Sequence, residues 1–415
     1  MMFVGNINYV LVAVVGGLLL SLQDWVPPVR LDPQLVFLLF LPPLLYAAAF
    51  QTEWPDFRAH LRSITLLAVG LVVFTTAVVA AVAHYLIGLP WASAFVLGAI
   101  VSPPDAVAAV AVTRTLKVPK IITTIVEGES LVNDASALVI LRVAVGAVTA
   151  GAFSLADAGW QFVLVAAGGV AIGLAGGWVA VRLHGWLARR DLADAKLAIT
   201  ITLLTPFAVY LPAEHLHVSG VLAAVTAGLW VGSRCEEVFP SDLYDEARAV
   251  WEWIDFLFTT LTFILIGFAL RPVLDELWTD SHPAELLGYV AAVTAAVVLA
   301  RLAWVFPGAY VPRWLDRKLL GVATPYPPWR AVFVLGWTGM RGVVSLAAAL
   351  ALPLATDDGK PFPGRGLIQF LTFWVIFATL VGQGLTLPWV IRRLGVGGAE
   401  VASDEPRPHP EEDER

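Results

Sequence analysis

Apolar runs long enough to cross a lipid bilayer recur along almost the whole 415-residue chain. About 20 helical residues span the ~30 Å hydrocarbon core, and only helices or closed barrels satisfy their backbone hydrogen bonds there. Charged residues are 14% of the chain, whereas soluble domains have about 25%. The sequence therefore predicts an all-α polytopic membrane protein. About twelve spans are predicted, near residues 7–22, 34–51, 62–87, 90–113, 121–149, 159–187, 194–213, 218–232, 251–271, 283–311, 328–353 and 366–394.

Basic residues predict the orientation of these spans. Lys and Arg concentrate in the cytoplasmic loops of membrane proteins. The loops after the even-numbered spans are the basic ones, with Arg189 and Arg190 as examples. Both termini are therefore expected in the cytoplasm, in a cell (inner) membrane. The acidic, Pro-rich segment 397–415 is expected to be a disordered cytoplasmic tail.

Several classes of protein are disfavoured by what the sequence lacks. No phosphate-binding G-x-x-x-x-G-K-[ST] segment occurs, so transport driven by ATP is not expected from this chain. The G-x-G-D motif expected of an intramembrane aspartyl protease is also absent. The single cysteine, Cys235, cannot form an intrachain disulfide. We expect no enzyme activity, no cofactor and no nucleic-acid partner.

Two adjacent prolines interrupt the apolar run at 90–113. Pro103 and Pro104, which follow Ser102, remove two backbone donors, so a helix through them must break. Broken helices at membrane depth are tolerated where they line a cavity, and their free carbonyls can coordinate a cation. Asp105 directly follows the break, where it can cap the next half-helix and also serve as an ion ligand.

A second polar segment opens the run at 121–149 and begins at Glu127. Asp134 is its deepest acid, and a charge inside the bilayer costs at least ~2.5–3.5 kcal/mol, so we expect this carboxylate to bind something. On a helix, Ser130 lies about 40° from Asp134, and Asn133 lies about 40° from Glu129. Glu127 is nearest the cytoplasmic end and is expected to be interfacial.

Arginines inside apolar runs need partners. Arg341 lies among three glycines, and because arginine stays charged in proteins we predict an ion pair with Glu129. Arg142 and Arg301 are expected to be structural, with Arg301 extending towards the cytoplasmic side. Asp255 lies near the start of a span and is expected at the membrane interface.

Five short segments follow one another in a distinctive order. They are LPPLLY at 41–46, SPPDAVA at 102–108, EGESLVND at 127–134, GMRGVVS at 339–345 and GQGLT at 382–386. With these segments the chain resembles the monovalent cation–proton antiporters, specifically the sodium–proton exchanger branch and its bacterial members. Each segment is modest alone, whereas the ordered set is highly specific and covers nearly the whole chain.

The resemblance implies a fold of inverted repeats with broken crossing helices. Residues 1–396 would form the transmembrane antiporter domain. Its mobile core would include helices at about 62–149 and 283–394, and its dimerisation helices about 1–30 and 159–232. The family commonly has one span more than predicted here, and the first helix would be the missing one. A homodimer in contact with membrane lipid is expected.

The resemblance also implies roles for residues. Asp134 would bind the transported ion or proton with Asp105 as its companion acid, so that Na⁺ is held at these two residues. Ser130 and Asn133 would support the site, and the Glu129–Arg341 pair is also part of the family pattern. Better-known members carry Thr where this chain has Pro104, which removes one hydroxyl ligand. Secondary candidates are Glu127, Ser345 and Arg142.

The implied activity is exchange of a monovalent cation for H⁺ by alternating access, with an elevator-like motion and a role in pH homeostasis. The Asn133-Asp134 pair is, by the family pattern, the mark of electroneutral exchange. Na⁺ is the expected cation, with Li⁺ as a further candidate. A K⁺/H⁺ antiporter is the alternative, and a passive cation channel is a weaker one, which would give current in place of coupled exchange.

Overall fold

The chain is helical through most of the residues that the computed structural model describes, which are 5–21, 23, 33–151, 155–190, 194–234, 241–277, 283–321 and 325–397. No β-strand occurs within these ranges, apart from one isolated bridge between Ala355 and Pro361. Residues 1–4 and the predicted tail beyond residue 397 lie outside the described residues.

Sixteen α-helices are found in the described part of the chain. They are α1 (Gly5–Ser21), α2 (Pro33–Phe50), α3 (Trp54–Ala59), α4 (Leu61–Thr65), α5 (Val72–Tyr85), α6 (Trp91–Val101), α7 (Val107–Thr115), α8 (Lys120–Ala150), α9 (Leu155–Arg189), α10 (Ala195–His215), α11 (Gly220–Gly232), α12 (Ser241–Leu277), α13 (Pro283–Leu315), α14 (Trp329–Trp337), α15 (Val343–Leu350) and α16 (Arg365–Leu394). Two π-helical stretches, Leu66–Leu71 and Asp316–Leu320, join α4 to α5 and follow α13.

All twelve predicted apolar runs coincide with helices in the described ranges. Of the helices described, six are long and apolar enough to cross a membrane: Leu61–Tyr85, Lys120–Ala150, Gly159–Arg189, Ala195–His215, Ala284–Leu319 and Arg365–Leu394. Shorter apolar helices accompany them. The chain is thus an all-α, multi-pass membrane protein, as predicted.

Two of the predicted runs are divided into half-helices. The run at 90–113 becomes α6 and α7, which are separated by the break at 102–106 that contains Pro103 and Pro104. The run at 328–353 becomes α14 and α15, which are separated by residues 338–342. Each break frees backbone groups that a continuous helix would have paired.

The helices pack into two groups with separate buried clusters. Helices α5, α6, α8, α13, α15 and α16 share one cluster, represented by Leu97 and Leu371. Helices α2, α9, α10, α11 and α12 share another, represented by Tyr46 and Trp251. A smaller cluster around Leu131 joins α8 to α2, α10 and α11. The two groups therefore meet along α2 and α8, and a further cluster joins α1 and α12 to α7, α8, α14, α15 and α16.

Helix α9 packs one side against α11 and leaves much of its apolar surface uncovered. Glycines allow the contact, since a Cβ on Gly173 would lie 2.5 Å from the carbonyl oxygen of Ala223. On the uncovered side, Trp160, Val163 and Leu164 are 63%, 54% and 49% exposed. Such a surface suits lipid or another protein rather than water.

Candidate functional site

The two broken helices meet at their breaks. The backbone N–H of Asp105 donates to the carbonyl of Met340 at 2.7 Å. From the other break, Arg341 Nε donates to the carbonyl of Val101 at 2.9 Å, and Nη2 donates to that of Ser102 at 3.4 Å. The Arg341 guanidinium therefore bonds carbonyls left free where α6 ends. Its positive charge also suits the negative end of that helix.

Two glycines make this close approach possible. A Cβ on Gly342 would overlap the Asp105 carboxylate, and a Cβ on Gly339 would lie 2.5 Å from Cδ of Arg301. Gly342 has φ −130°, which any residue can adopt. Glycine is therefore required at this position for space, not for backbone conformation.

Asp105 caps the second half of its broken helix. Its Oδ1 accepts a hydrogen bond of 2.9 Å from the backbone N–H of Val107, the first residue of α7. Ser130 Oγ lies 3.4 Å from the N–H of Ala106 and supports the same turn from α8. Pairing of exposed backbone donors with these oxygens holds the start of α7 against α8.

A cavity of about 100 Å³ lies beside this crossing. One wall is apolar and comes from α2 through Leu41, Leu44, Leu45 and Ala48. The other walls come from the two breaks and from α7, α8, α12 and α15. The ionisable and hydroxyl-bearing side chains that line it are Asp105, Ser130, Asp134, Asp255 and Ser345.

Asp134 is the deeply buried acid of this cavity. It is only 8% exposed, and its carboxylate has no hydrogen bond or ion pair within the described ranges. The buried hydroxyl of Ser345 also lacks a hydrogen-bond partner. Since a buried polar group left unpaired costs about 1–3 kcal/mol, these oxygens mark a position for water or a cation.

Asn133 supports the broken helix from the adjacent turn of α8. Its Nδ2 donates to the carbonyl of Pro104 at 2.7 Å, while its buried Oδ1 lacks a partner. Pro104 therefore supplies a backbone carbonyl as an acceptor, although it lacks the hydroxyl that a threonine would have at this position. Asp134, Asp105, Ser130 and Asn133 are therefore brought together around one break, while their predicted part in ion binding stays a prediction.

The predicted partner of Glu129 was wrong. Glu129 forms a two-pronged ion pair with Arg301, with Nη1–Oε1 and Nη2–Oε2 distances of 2.5 and 2.8 Å. Both residues are 1% exposed, so Arg301 does not extend to the membrane surface either. Arg341 bonds the backbone carbonyls at the breaks instead. Packing of α13 against α8 brings Arg301 to Glu129, and a single sequence does not reveal which distant helix will be the neighbour.

Two secondary candidates pair away from the cavity. Glu127 accepts from Arg114 at 2.6 Å, and Arg142 donates to Glu214 at 2.6 Å. Neither of the two lines the cavity, whereas the third secondary candidate, Ser345, does. The geometry therefore gives Glu127 and Arg142 structural contacts only.

Asp255 was expected near the membrane interface from its place close to the start of a span, and the structure also gives it a position at the cavity. It is half-buried and lines the same cavity as Asp105 and Asp134. The sequence carried no signal for this position, because packing decides which face of α12 turns inward. Asp255 follows Trp251 by four residues, so both lie on one face of α12, and Trp251 is fully buried in the structure.

The donor set suits a monovalent cation. Among the residues the structure describes, no three His, Cys, Asp or Glu side chains lie close enough together to hold a metal ion. Carboxylate, hydroxyl and carbonyl oxygens are hard ligands. The three acids on the cavity wall are thus too far apart to hold one metal ion together, which suits transient binding of a small ion of single charge.

Comparison with known proteins places this arrangement in context. A family model described as "Sodium/hydrogen exchanger, transmembrane" matches residues 3–393. A "Sodium, potassium, lithium and rubidium/H(+) antiporter" of Bacillus pumilus is 35% identical over 87% of this chain and 54% of its own length. The Na(+)/H(+) antiporter NhaS2 of Synechocystis is 32% identical over 88% of this chain and 63% of its own length. The chain thus spans little more than half the length of these relatives.

A solved structure supports the fold assignment. The sodium proton antiporter MjNhaP1 of Methanocaldococcus jannaschii superposes with a TM-score of 0.67, covering 96% of this chain and 100% of that one, at 18% identity. At this identity the likeness concerns the arrangement of helices, which therefore matches that of an antiporter.

Proposed function

Because the chain belongs to the sodium/hydrogen exchanger family, we propose that it exchanges Na⁺ for H⁺ across the membrane. The observation that carries the proposal is Asp134, a carboxylate more than nine-tenths buried that has no partner among the described residues and faces a small cavity. A fixed structural role would have paired this charge, as Glu129 is paired with Arg301.

The proposed exchange rests on competition for one carboxylate. Ionised Asp134 binds a cation, with the Ser345 hydroxyl and the second acid, Asp105, on the same cavity. Protonation removes the negative charge, so the cation leaves. Burial favours the two states in which the charge of Asp134 is neutralised, by a proton or by a bound cation. An empty, ionised carboxylate would cross the low-dielectric barrier only at a high energetic cost. The site therefore crosses only when it carries a cation or a proton. The fluxes of cation and proton are then coupled one for one.

Access would alternate between the two sides of the membrane by an elevator-like motion. We propose that the core helices, at about 62–149 and 283–394, move against the helices at about 1–30 and 159–232, which would also form a homodimer contact. The bonds of Arg341 to Val101 and Ser102 support this proposal, because they tie both breaks into one unit that can move with its ion.

Potassium is the second candidate cation, and K⁺/H⁺ exchange is the alternative activity. A Bacillus pumilus relative is named for exchange of sodium, potassium, lithium and rubidium, and this favours testing each alkali ion. We propose a cell membrane location, with both termini in the cytoplasm, on the basis of the basic loops.

The proposal is tested with purified protein in proteoliposomes that contain a trapped pH dye. Pulses of Na⁺, Li⁺ and K⁺ are given with the voltage held at zero, to wild type and to Asp134→Asn. Asp357→Asn, in an exposed loop, is the matched control. We expect Na⁺-driven proton flux in wild type and Asp357→Asn, and at least about a 100-fold loss in Asp134→Asn.

Two results would contradict the proposal. Proton flux that persists in Asp134→Asn would remove Asp134 from the site. Cation current without proton movement would indicate a channel.

A further inference from the structure

Asp255 is an acid of the cavity that the exchange described above does not use. It enters from α12, whereas Asp134 comes from α8 and Asp105 from the break between α6 and α7. Helix α12 packs on α1, α2 and α16, and its residue Trp251 belongs to the buried cluster of α2 and α9–α11. Asp255 therefore reaches the cavity from a different helix than Asp134 and Asp105 do, one that packs on α2 as well as on α16.

Among the described residues, the Asp255 carboxylate has no directly bonded partner, and Arg114 acts on it only at longer range while bonding Glu127. Its neighbour on α12, Glu252, pairs with Arg248 at 3.4 Å and is exposed. Asp255 has no hydrogen bond or ion pair of its side chain within the described ranges, although it is half-buried. A charge removed from water without a partner is costly, so a cation from solution is its natural counterpart.

A second observation points to a ligand at the same place. The hydroxyl of Ser345 lines this cavity, is only 2% exposed and has no hydrogen-bond partner. The cavity is therefore lined by an unused hydroxyl oxygen as well as by carboxylates from α8, from α12 and from the break between α6 and α7. That combination is suited to a monovalent cation that loses part of its hydration shell as it enters.

The position of Asp255 along α12 suggests when it acts. It lies two turns beyond Arg248, where the polar start of α12 gives way to its apolar part. A cation that enters along this part of α12 would pass Asp255 on its way into the cavity.

We propose that Asp255 is a cation-capture residue, which attracts the monovalent cation into the cavity and passes it to Asp134. This inference rests on the proposed exchange activity. Negative charge on the wall of a cavity raises the local concentration of cations. Its loss therefore weakens apparent affinity and leaves the maximal rate of exchange in place.

The test compares Asp255→Asn with wild type in proteoliposomes, over a range of Na⁺ concentrations. Glu252→Gln, one turn earlier on the same helix but outside the cavity, is the matched control. We expect the KM for Na⁺ to rise about three- to tenfold in Asp255→Asn, because the variant loses the attraction between one negative charge and a cation in the cavity. We expect the maximal rate to be unchanged, Asp255→Glu to restore the KM, and Glu252→Gln to behave as wild type.

A binding measurement separates this inference from the exchange itself. Na⁺ that binds the folded state raises its melting temperature in detergent whether or not protons move. The Na⁺ concentration that gives half of this effect should rise by the same factor in Asp255→Asn. If Na⁺ stabilises wild type but drives no proton exchange, the exchange proposal fails. The capture role is then still tested by comparing the Na⁺ midpoints of wild type and Asp255→Asn.

An unchanged KM and an unchanged Na⁺ midpoint in Asp255→Asn would overturn the capture role. A fall in maximal rate at constant KM would overturn it too, because it would indicate a structural or later role. Each variant is first checked for a wild-type elution volume. Asp255→Ser replaces Asp255→Asn if the latter does not fold.

Discussion

Glu129 and Arg301 show how the protein holds charge in its interior at the scale of single residues. Their two hydrogen bonds satisfy both oxygens of the carboxylate, and Arg301 also donates to the carbonyl of Leu335 at 3.2 Å. A buried pair of this kind need not add net stability, because both ions lose their hydration. Removing one member, however, leaves the other charge uncompensated, at a cost of about 3–5 kcal/mol.

Glu129→Gln should therefore lower the apparent melting temperature strongly, measured in detergent by intrinsic fluorescence. The matched control is Glu53→Gln. Glu53 bonds Lys120 at 2.7 Å, but both side chains are about two-thirds exposed, and exposed pairs contribute about 0–1 kcal/mol. Equal melting temperatures for the two variants would contradict this prediction, because the buried pair would then matter no more for stability than the exposed pair.

The same residues show what a single sequence can and cannot predict about the site. The sequence could single out Asp134 and Asp105 as candidates, because an acid inside an apolar run requires a physical reason. The partner of Glu129 was not, because Arg301 lies 172 residues away and its approach depends on how α13 packs. Asp255 was missed for a related reason: its distance from the end of α12 suggested the interface, and only packing shows which way its helix face is turned.

At the scale of elements, the crossing of the two broken helices depends on Gly342 for space. Any side chain there would occupy the volume of the Asp105 carboxylate. Displaced, Asp105 would lose its cap on Val107, and the break would be pushed away from Arg341.

Gly342→Ala should therefore abolish cation-driven proton flux and lower the yield of folded protein. Gly288→Ala is the control, because a Cβ at Gly288, within α13, would meet nothing within 4 Å. There alanine should be neutral or stabilise the helix by about 0.5–1 kcal/mol. Flux assays and size-exclusion profiles measure both variants. Wild-type flux in Gly342→Ala would mean that the crossing can open without loss of function.

The two breaks differed in how visible they were in the sequence. Pro103 and Pro104 enforce the first break chemically, so it was predicted from residue types alone. The second break, at 338–342, contains Gly339 and Gly342, and glycine permits a break without requiring one. Only the resemblance to a family implied broken crossing helices there. The apolar runs themselves were predictable throughout, because a bilayer imposes length and hydropathy on every span.

At the scale of the whole molecule, the uncovered side of α9 is where we expect a second copy of the chain to bind. The predicted dimerisation helices include this segment, and Trp160, Val163 and Leu164 present a contiguous apolar surface on it.

Leu164→Glu should shift the detergent-solubilised protein from dimer to monomer, as measured by light scattering coupled to size exclusion. Leu299→Glu is the control, since Leu299 on α13 is equally apolar and 62% exposed but lies outside the predicted contact. A monomer in wild type would contradict the dimer, and so would a Leu164→Glu variant that keeps the wild-type mass.

The fixed charges around the crossing have one further consequence. Apart from Asp255 on the cavity wall, three acids and two bases surround it: Asp105, Glu129, Asp134, Arg301 and Arg341. With all of them ionised, one negative charge remains, and either one alkali ion or one proton cancels it. Equal charges would then travel in both directions. Exchange would come to rest when the inside-to-outside ratio of the cation equals that of protons, so a salt gradient alone would set the limiting pH difference.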